Sequence, residues 1–375
     1  MKALLTIACV VVALIVAPAA QSGLDPALVN KLDAFVAEEF AKDGVGGTTV
    51  AVVKGGSLAW AKGYGLADIE ARTPATANTV YRIGSITKPF TAVMMLQLVE
   101  RGTVRLSDPV EKYLPEINRI TDRPKDAPAV TFEQLATMMS GIAREPDDLN
   151  TFLVGPVERW EHVLFEALPK TKYDHAPGTR YLYSNIGYAI LGASLGRAAK
   201  QPYVEYMRES VIRPLGMTTT DFVPSAAIRP GLAKGYEIRE GKPNGEQPAK
   251  EHDGRGYKVP NGALYTTVGD LAKFVSLWLG DGPESVLKKT TIADTFARLP
   301  ADANYGIGFQ VVRRDGKVYY SHGGSVAGYR AQMSYDRRAN VGVIVLRNVG
   351  GGTFSPGPVA ARLLAMVTEN PSPVF

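Results

Sequence analysis

The chain has 375 residues, 45% hydrophobic and 21% charged, enough for one large domain or two coupled ones. Its formal net charge of +5 is spread without a dense Lys/Arg run, which argues against a nucleic-acid-binding face. The only cysteine, Cys9, lies in an N-terminal apolar run. His162, His175, His252 and His322 share no short spacing suited to zinc. Disulfide, thiolate and metal chemistry are therefore not expected, and no cofactor is implied.

Met1-Lys2, an apolar stretch over residues 3–16 and the small residues Ala17-Pro18-Ala19-Ala20 read as a signal peptide over residues 1–20. The expected location is therefore periplasmic or secreted. An uncleaved anchor is the alternative, and it is the sole route to a membrane that the sequence offers. Asp25-Pro26 caps an amphipathic helix with Leu28, Leu32, Phe35, Val36 and Phe40 on one face. Residues 47–53 form a β-branched run, Gly55-Gly56 a tight turn, and residues 57–64 a return strand.

Next comes Arg82-Ile83-Gly84-Ser85-Ile86-Thr87-Lys88-Pro89-Phe90, where Phe90, Val93, Met94 and Leu98 predict a buried helix starting near Ser85. From about 101 to 294 the patterns are mainly helical. Thr131-Phe132-Glu133-Gln134 forms a capping box, and residues 177–182 give a turn and short strand. Helices are predicted over 185–199 and 203–212, and another from Val268. Strands follow over 306–312, 318–321, 330–335 and 341–346, with a turn at Asp315-Gly316, and a closing helix over 358–367. The fold class is α+β. An antiparallel sheet (about 24–100 and 295–375) is flanked by the terminal helices, a mainly helical part (about 101–294) is inserted, and the site lies in the cleft between them.

Three stretches carry chemistry. Ser85 and Lys88 share one helix face, so a desolvated lysine can take the proton of a nucleophilic serine; the same tetrapeptide also reads as a helix cap followed by a solvated lysine. Tyr183-Ser184-Asn185 precedes a helix. A tyrosinate whose pKa Lys88 lowers can act as a base and Asn185 can bridge Lys88 and a substrate amide, or Tyr183 packs and Asn185 caps. His322-Gly323-Gly324-Ser325 follows a strand signal; its glycines admit a substrate backbone, and the N–H groups of Ser325 and Ser85 can form an oxyanion hole, or the stretch is a glycine-rich turn.

In order and approximate spacing, Ser85-x-x-Lys88, Tyr183-x-Asn185 and His322-Gly323-Gly324 resemble the serine β-lactamase-related family. It includes class C β-lactamases, D-alanyl-D-alanine carboxypeptidases, D-aminopeptidases and β-lactamase-like esterases. The resemblance runs over about residues 28–370 and is supported by the stretches 135–142 and 261–271. It implies one serine hydrolase domain over 21–375 with Ser85 as acylated nucleophile. Lys88 and Tyr183 would manage its proton, Asn185, His322, Gly323 and Gly324 would bind substrate, and the Ser325 N–H would complete the oxyanion hole.

Two departures bear on substrate. The position held by His322 is usually Lys in class C β-lactamases, and a mostly neutral imidazole is a poor partner for a β-lactam carboxylate. Met138-Met139 stand where relatives often carry His-Thr, which predicts an apolar-tolerant cleft wall. The expected activity is therefore that of an exported carboxylesterase or D-amino-acid peptidase. A class C-like β-lactamase is the runner-up, and a non-catalytic peptidoglycan or ligand-binding protein the reading of another class. The expected partner is a small ester, lactam or D-amino-acid peptide.

Overall fold

The computed structural model describes residues 23–314 and 316–369. The predicted signal segment, Cys9 and the Asp315 half of the predicted turn lie outside them. Helix α1 (Pro26–Ala41) leads into strands β1 (Gly47–Lys54), β2 (Ser57–Asp68), β3 (Thr73–Pro74) and β4 (Tyr81–Arg82), and then helix α2 (Thr87–Glu100). The middle of the chain contains α3 (Phe132–Ala136), α4 (Trp160–Ala167), α5 (Asn185–Ala199), α6 (Tyr203–Met207) and the ribbon β5 (Glu237–Arg239) and β6 (Lys242–Asn244). It continues with α7 (Glu246–Lys250), α8 (Val259–Gly262), β7 (Tyr265–Thr266), α9 (Val268–Leu279) and α10 (Lys289–Ala297). Strands β8 (Gln310–Arg314), β9 (Lys317–Val326), β10 (Tyr329–Asp336) and β11 (Val341–Arg347) return to the sheet, and α11 (Pro356–Glu369) closes the chain.

One seven-stranded antiparallel sheet has the order β3-β2-β1-β11-β10-β9-β8, so the first and last long strands are neighbours. Their β-branched runs are continuous because both faces are buried. Val50, Val52, Val343 and Val345 pack with Leu28, Leu32 and Val36 of α1 and Leu363 of α11. Ala51, Val53, Ile344 and Leu346 face the larger core that holds α2 and α9. Helix α9, which the sequence pattern grouped with the inserted helical part, packs against β1, β2 and β11. Its Phe274 stacks on Phe90 of α2. No helix among the described residues is long and apolar enough to cross a membrane.

Four local departures from the predicted elements matter for the site. The chain enters α2 through a 3₁₀ turn (Gly84–Ile86) with Gly84 at φ +50, so Ser85 sits on a sharp bend rather than in the helix proper. Strand β9 runs on through residue 326, so the His322 motif lies inside a strand and not in the turn after it. The strand predicted at 306–312 begins only at Gln310, because Gly308 has φ +83 and packs onto α2, where a Cβ would lie 2.7 Å from Ala92 Cβ. Residues 177–182 form a turn and extended coil, tied by Leu182 N donating to Met138 O at 2.8 Å.

Candidate active site

Strand β4 is held to β7, with Tyr81 opposite Thr266 and Arg82 opposite Tyr265, and Ile83 N donates to Leu264 O at 3.0 Å. The bend carrying Ser85 is thereby fixed before α2 begins. Helix α2 is buried all round from Thr87 to Leu98, so Lys88 has no route to solvent and is 0% exposed. Its Nζ lies 3.0 Å from Ser85 Oγ, 2.7 Å from Asn185 Oδ1 and 3.2 Å from Asn261 O. Burial is the largest cause holding the Lys88 amine well below its ordinary range; Lys258, Arg144 and Arg255 add to it, and Glu145 opposes.

Tyr183 and Asn185 arrive at the start of α5, whose cap is Ser184 accepting from Gly187 N at 2.9 Å. Lys88 Nζ and the Arg144 guanidinium each lie 4.8 Å from the Tyr183 ring centre. The phenol is nevertheless pushed up to about 12, because burial outweighs the lowering effect of the neighbouring Ser85 hydroxyl and Arg144. This corrects the expected tyrosinate: in this pocket the neutral phenol is the favoured form.

Asn185 is more than a cap. Its Oδ1 accepts from Lys88 while its Nδ2 donates to Glu145 Oε1 at 2.6 Å, which fixes the amide orientation. Glu145 also accepts from Lys258 at 2.8 Å and from the Tyr257 hydroxyl. Burial raises the Glu145 carboxyl, but Lys258, Tyr257 and Asn185 together hold it below its usual range. Asn261 completes the bracket, its Nδ2 donating to Asn185 O at 2.8 Å. The sequence reading assigned no role to Arg144, Glu145 or Lys258 and used Asn261 only as part of a supporting stretch. A single signal pointed to Arg144 and Glu145: they come two and three residues after the 135–142 stretch.

Strand β9 approaches Ser85 so closely that two glycines are required. A Cβ on Gly324 would stand 1.9 Å from Ile83 O and 3.3 Å from Ser85 N. A Cβ on Gly84 would stand 2.8 Å from Ser325 N. The backbone amides of Ser85 and Ser325 are thus held side by side.

His322 lines the cleft, but both of its ring nitrogens are already engaged. It is 1% exposed, with Nε2 2.9 Å from the Tyr305 hydroxyl and Nδ1 2.8 Å from Gly323 O. A carbonyl only accepts, so Nδ1 carries the hydrogen and Nε2 accepts from Tyr305. Burial, followed by Lys88, lowers its pKa to about 3 against the Gly323 bond, so the imidazole is neutral at pH 7. Met138 departs from the expected cleft wall: it is 1% exposed, at φ +61, and its sulfur accepts from Ser184 N at 3.2 Å.

These groups open on a cleft of about 730 Å³, lined by Ser85, Tyr183, Asn185, His322 to Ser325, Arg144, Glu145, Lys258 and Arg330 among others. Tyr181 stands at its edge, 46% exposed. The sequence match to known proteins agrees with this arrangement: the model of the "Beta-lactamase" family matches residues 32–365. The chain belongs to the beta-lactamase family.

Other beta-lactamase-like chains fit the same picture. "Beta-lactamase-like protein 2" of Dictyostelium discoideum is 30% identical over 333 residues, covering 85% of this chain and 60% of that protein. "Protein flp" of Staphylococcus aureus is 26% identical over 326 residues, covering 85% and 63%. The chain thus spans about six-tenths of the length of these relatives. Among solved structures, the octameric penicillin-binding protein homologue from Pyrococcus abyssi superposes with TM-score 0.74 at 29% identity, covering 92% of this chain and 79% of that one. EstCE1, titled a hydrolase with promiscuous acyltransferase activity, gives 0.77 at 19% identity, covering 91% and 98%. D-alanine carboxypeptidase AmpC from Burkholderia cenocepacia gives 0.72 at 21%, covering 91% and 99%. The last two likenesses are of fold alone.

Proposed function

We propose that this chain is an exported serine hydrolase that cleaves an ester or a peptide-like amide through an acyl-enzyme on Ser85. The observation carrying this reading is the set of three contacts around Lys88 Nζ. With its pKa depressed, Lys88 is readily neutral, and a neutral amine has two hydrogens and one lone pair. Asn185 Oδ1 and Asn261 O can only accept, so they take the two hydrogens. Ser85 is the one partner with a proton to give, and the lone pair faces it.

In the first step Ser85 Oγ bonds to the substrate carbonyl carbon and passes its proton to Lys88, while the Ser85 and Ser325 amides donate to the developing oxyanion. The carbonyl–heteroatom bond then breaks. Tyr183 gives its proton to the departing oxygen or nitrogen and recovers one from Lys88. A water repeats the sequence to release the acid, again with Lys88 as base. Asn185 holds Lys88 in place through its Oδ1. His322 acts from behind, by holding Tyr305 and the β9 backbone. The proposed export rests on the apolar residues 3–16 and the small residues that follow.

A fluorophosphonate should label the protein covalently, and Ser85→Ala should abolish labelling. Undiminished labelling of that variant would remove Ser85 as the nucleophile. A parallel panel of a p-nitrophenyl ester, a D-alanine p-nitroanilide, a D-Ala-D-Ala peptide and a chromogenic cephalosporin then assigns the substrate. Turnover of the cephalosporin alone would replace this reading by that of a β-lactamase.

A further inference from the structure

A second charged cluster lies outside the cleft, behind the bend that carries Ser85. Arg82 of β4, whose side chain has no solvent exposure, donates through Nη1 to Glu251 Oε2 at 3.4 Å. Arg255, 8% exposed, donates through its own Nη1 to the same oxygen. Two guanidinium groups thus share one carboxylate, which leaves one positive charge in excess. His252 beside them is neutral at pH 7 and its nitrogens face the hydroxyls of Tyr265 and Tyr329, so it adds no counter-charge. The cluster adjoins the nucleophile: Arg82 stands three residues before Ser85, and a Cβ on Gly262 would lie 3.8 Å from Arg255 Nη2 and 3.9 Å from Gly84 C. The remaining donors carry the argument. Arg82 Nε and Nη2 are both buried and bond to no acceptor among the described residues, and the same holds for Arg255 Nε. In a planar guanidinium, Nε–H and the neighbouring Nη2–H run parallel and form the edge that holds an anion with two donors. Both donors of that edge are unmatched in Arg82, and they converge on one position. The Tyr265 ring, centred 5.6 Å from Arg82 Cζ, favours the cation but accepts no in-plane hydrogen.

We infer that the Nε/Nη2 edge of Arg82, with the Arg255 guanidinium beside it, binds a small monovalent anion of chloride size. Charge sets the valence: two arginines and one glutamate leave a single positive charge, which one monovalent anion cancels and a dianion would overshoot. Burial sets the size, because the edge lies under a side chain with no solvent exposure. A water molecule would accept the same two hydrogens but leave the second buried guanidinium uncompensated, and an uncompensated buried charge is strongly destabilising. The bound anion ties β4 to residues 251–255 and so supports the bend on which Ser85 stands. Neither arginine lines the catalytic cleft, so this is a structural ion site and not a substrate contact.

The experiment follows the thermal unfolding midpoint as chloride replaces gluconate, an anion too bulky for the site, at fixed ionic strength. The midpoint should rise saturably, by about 3 °C once chloride reaches roughly a hundredfold excess over its half-effect concentration. Bromide should act as chloride does, and anomalous diffraction from crystals held in bromide should place a peak within hydrogen-bond reach of both Arg82 Nε and Nη2. Arg82→Lys keeps the charge but loses the two-donor edge, and should raise the half-effect concentration about tenfold. Glu251→Gln adds to the excess positive charge and should lower it, the opposite direction. A wild-type midpoint indifferent to the exchange of anions overturns the proposal, whether or not the variants fold. A bromide peak at Arg82 without that saturable rise is binding at crystal concentration only, and overturns it too. So does a saturable rise whose bromide peak lies elsewhere, or one left unchanged in a folded Arg82→Lys protein.

Discussion

Gly324→Ala tests the oxyanion geometry directly. The new Cβ would lie 1.9 Å from Ile83 O, 2.9 Å from Ile83 C and 3.3 Å from Ser85 N. All three are backbone atoms fixed by the β4–β7 pairing, and ordinary contacts lie near 3.5 Å. Strand β9 would therefore have to withdraw by more than about 1 Å, taking Ser325 N with it. An oxyanion donor works at about 2.7–3.1 Å, and losing one costs about 10²–10³ in kcat. The assay is kcat on a p-nitrophenyl ester, with circular dichroism and a urea midpoint to confirm folding. Gly323→Ala is the matched control: its Cβ would meet Gln332 Oε1 at 3.0 Å, a movable side-chain end, and Ala331 O at an ordinary 3.9 Å, and should cost little. A folded Gly324→Ala enzyme with kcat near that of the wild type would refute the claim that this close approach builds the hole.

Two further predictions concern protons. If neutral Lys88 is the base, kcat/KM rises with pH through its lowered pKa. Lys258→Met removes a charge that lowers that pKa, so the acid limb should move to higher pH, whereas Glu145→Gln removes one that raises it and should move the limb lower. Shifts of the same sign in both variants would exclude electrostatic control of Lys88. His252, outside the cleft, is held at about 4 by burial and then by Arg82 and Arg229, while its nitrogens face the hydroxyls of Tyr265 and Tyr329. Its unfolded form takes up a proton near 6.5 and its folded form does not, so its contribution is full above pH 6.5 and is lost as pH falls towards 4, with a slope of up to about 1.4 kcal/mol per pH unit. His252→Gln should flatten the urea midpoint over that window; parallel curves for variant and wild type would refute the assignment.

The sequence by itself determined the α+β class, the terminal helices against the sheet and the three motifs around the serine. These are encoded in local terms: 3.6- and 2-residue periodicity, and residue types whose chemistry is legible without a fold. The continuous β-branched run of β1 and the predicted helix over 185–199 are examples. Only the tertiary structure decided how the motif residues behave. The charge states of Lys88, Tyr183 and His322 depend on burial and on charges far away in sequence, such as Glu145 and Lys258 around Lys88. The fate of His322 depended on Tyr305 and on β9 continuing as a strand. The need for Gly84 and Gly324 came from two backbone segments about 240 residues apart in the chain meeting at contact distance.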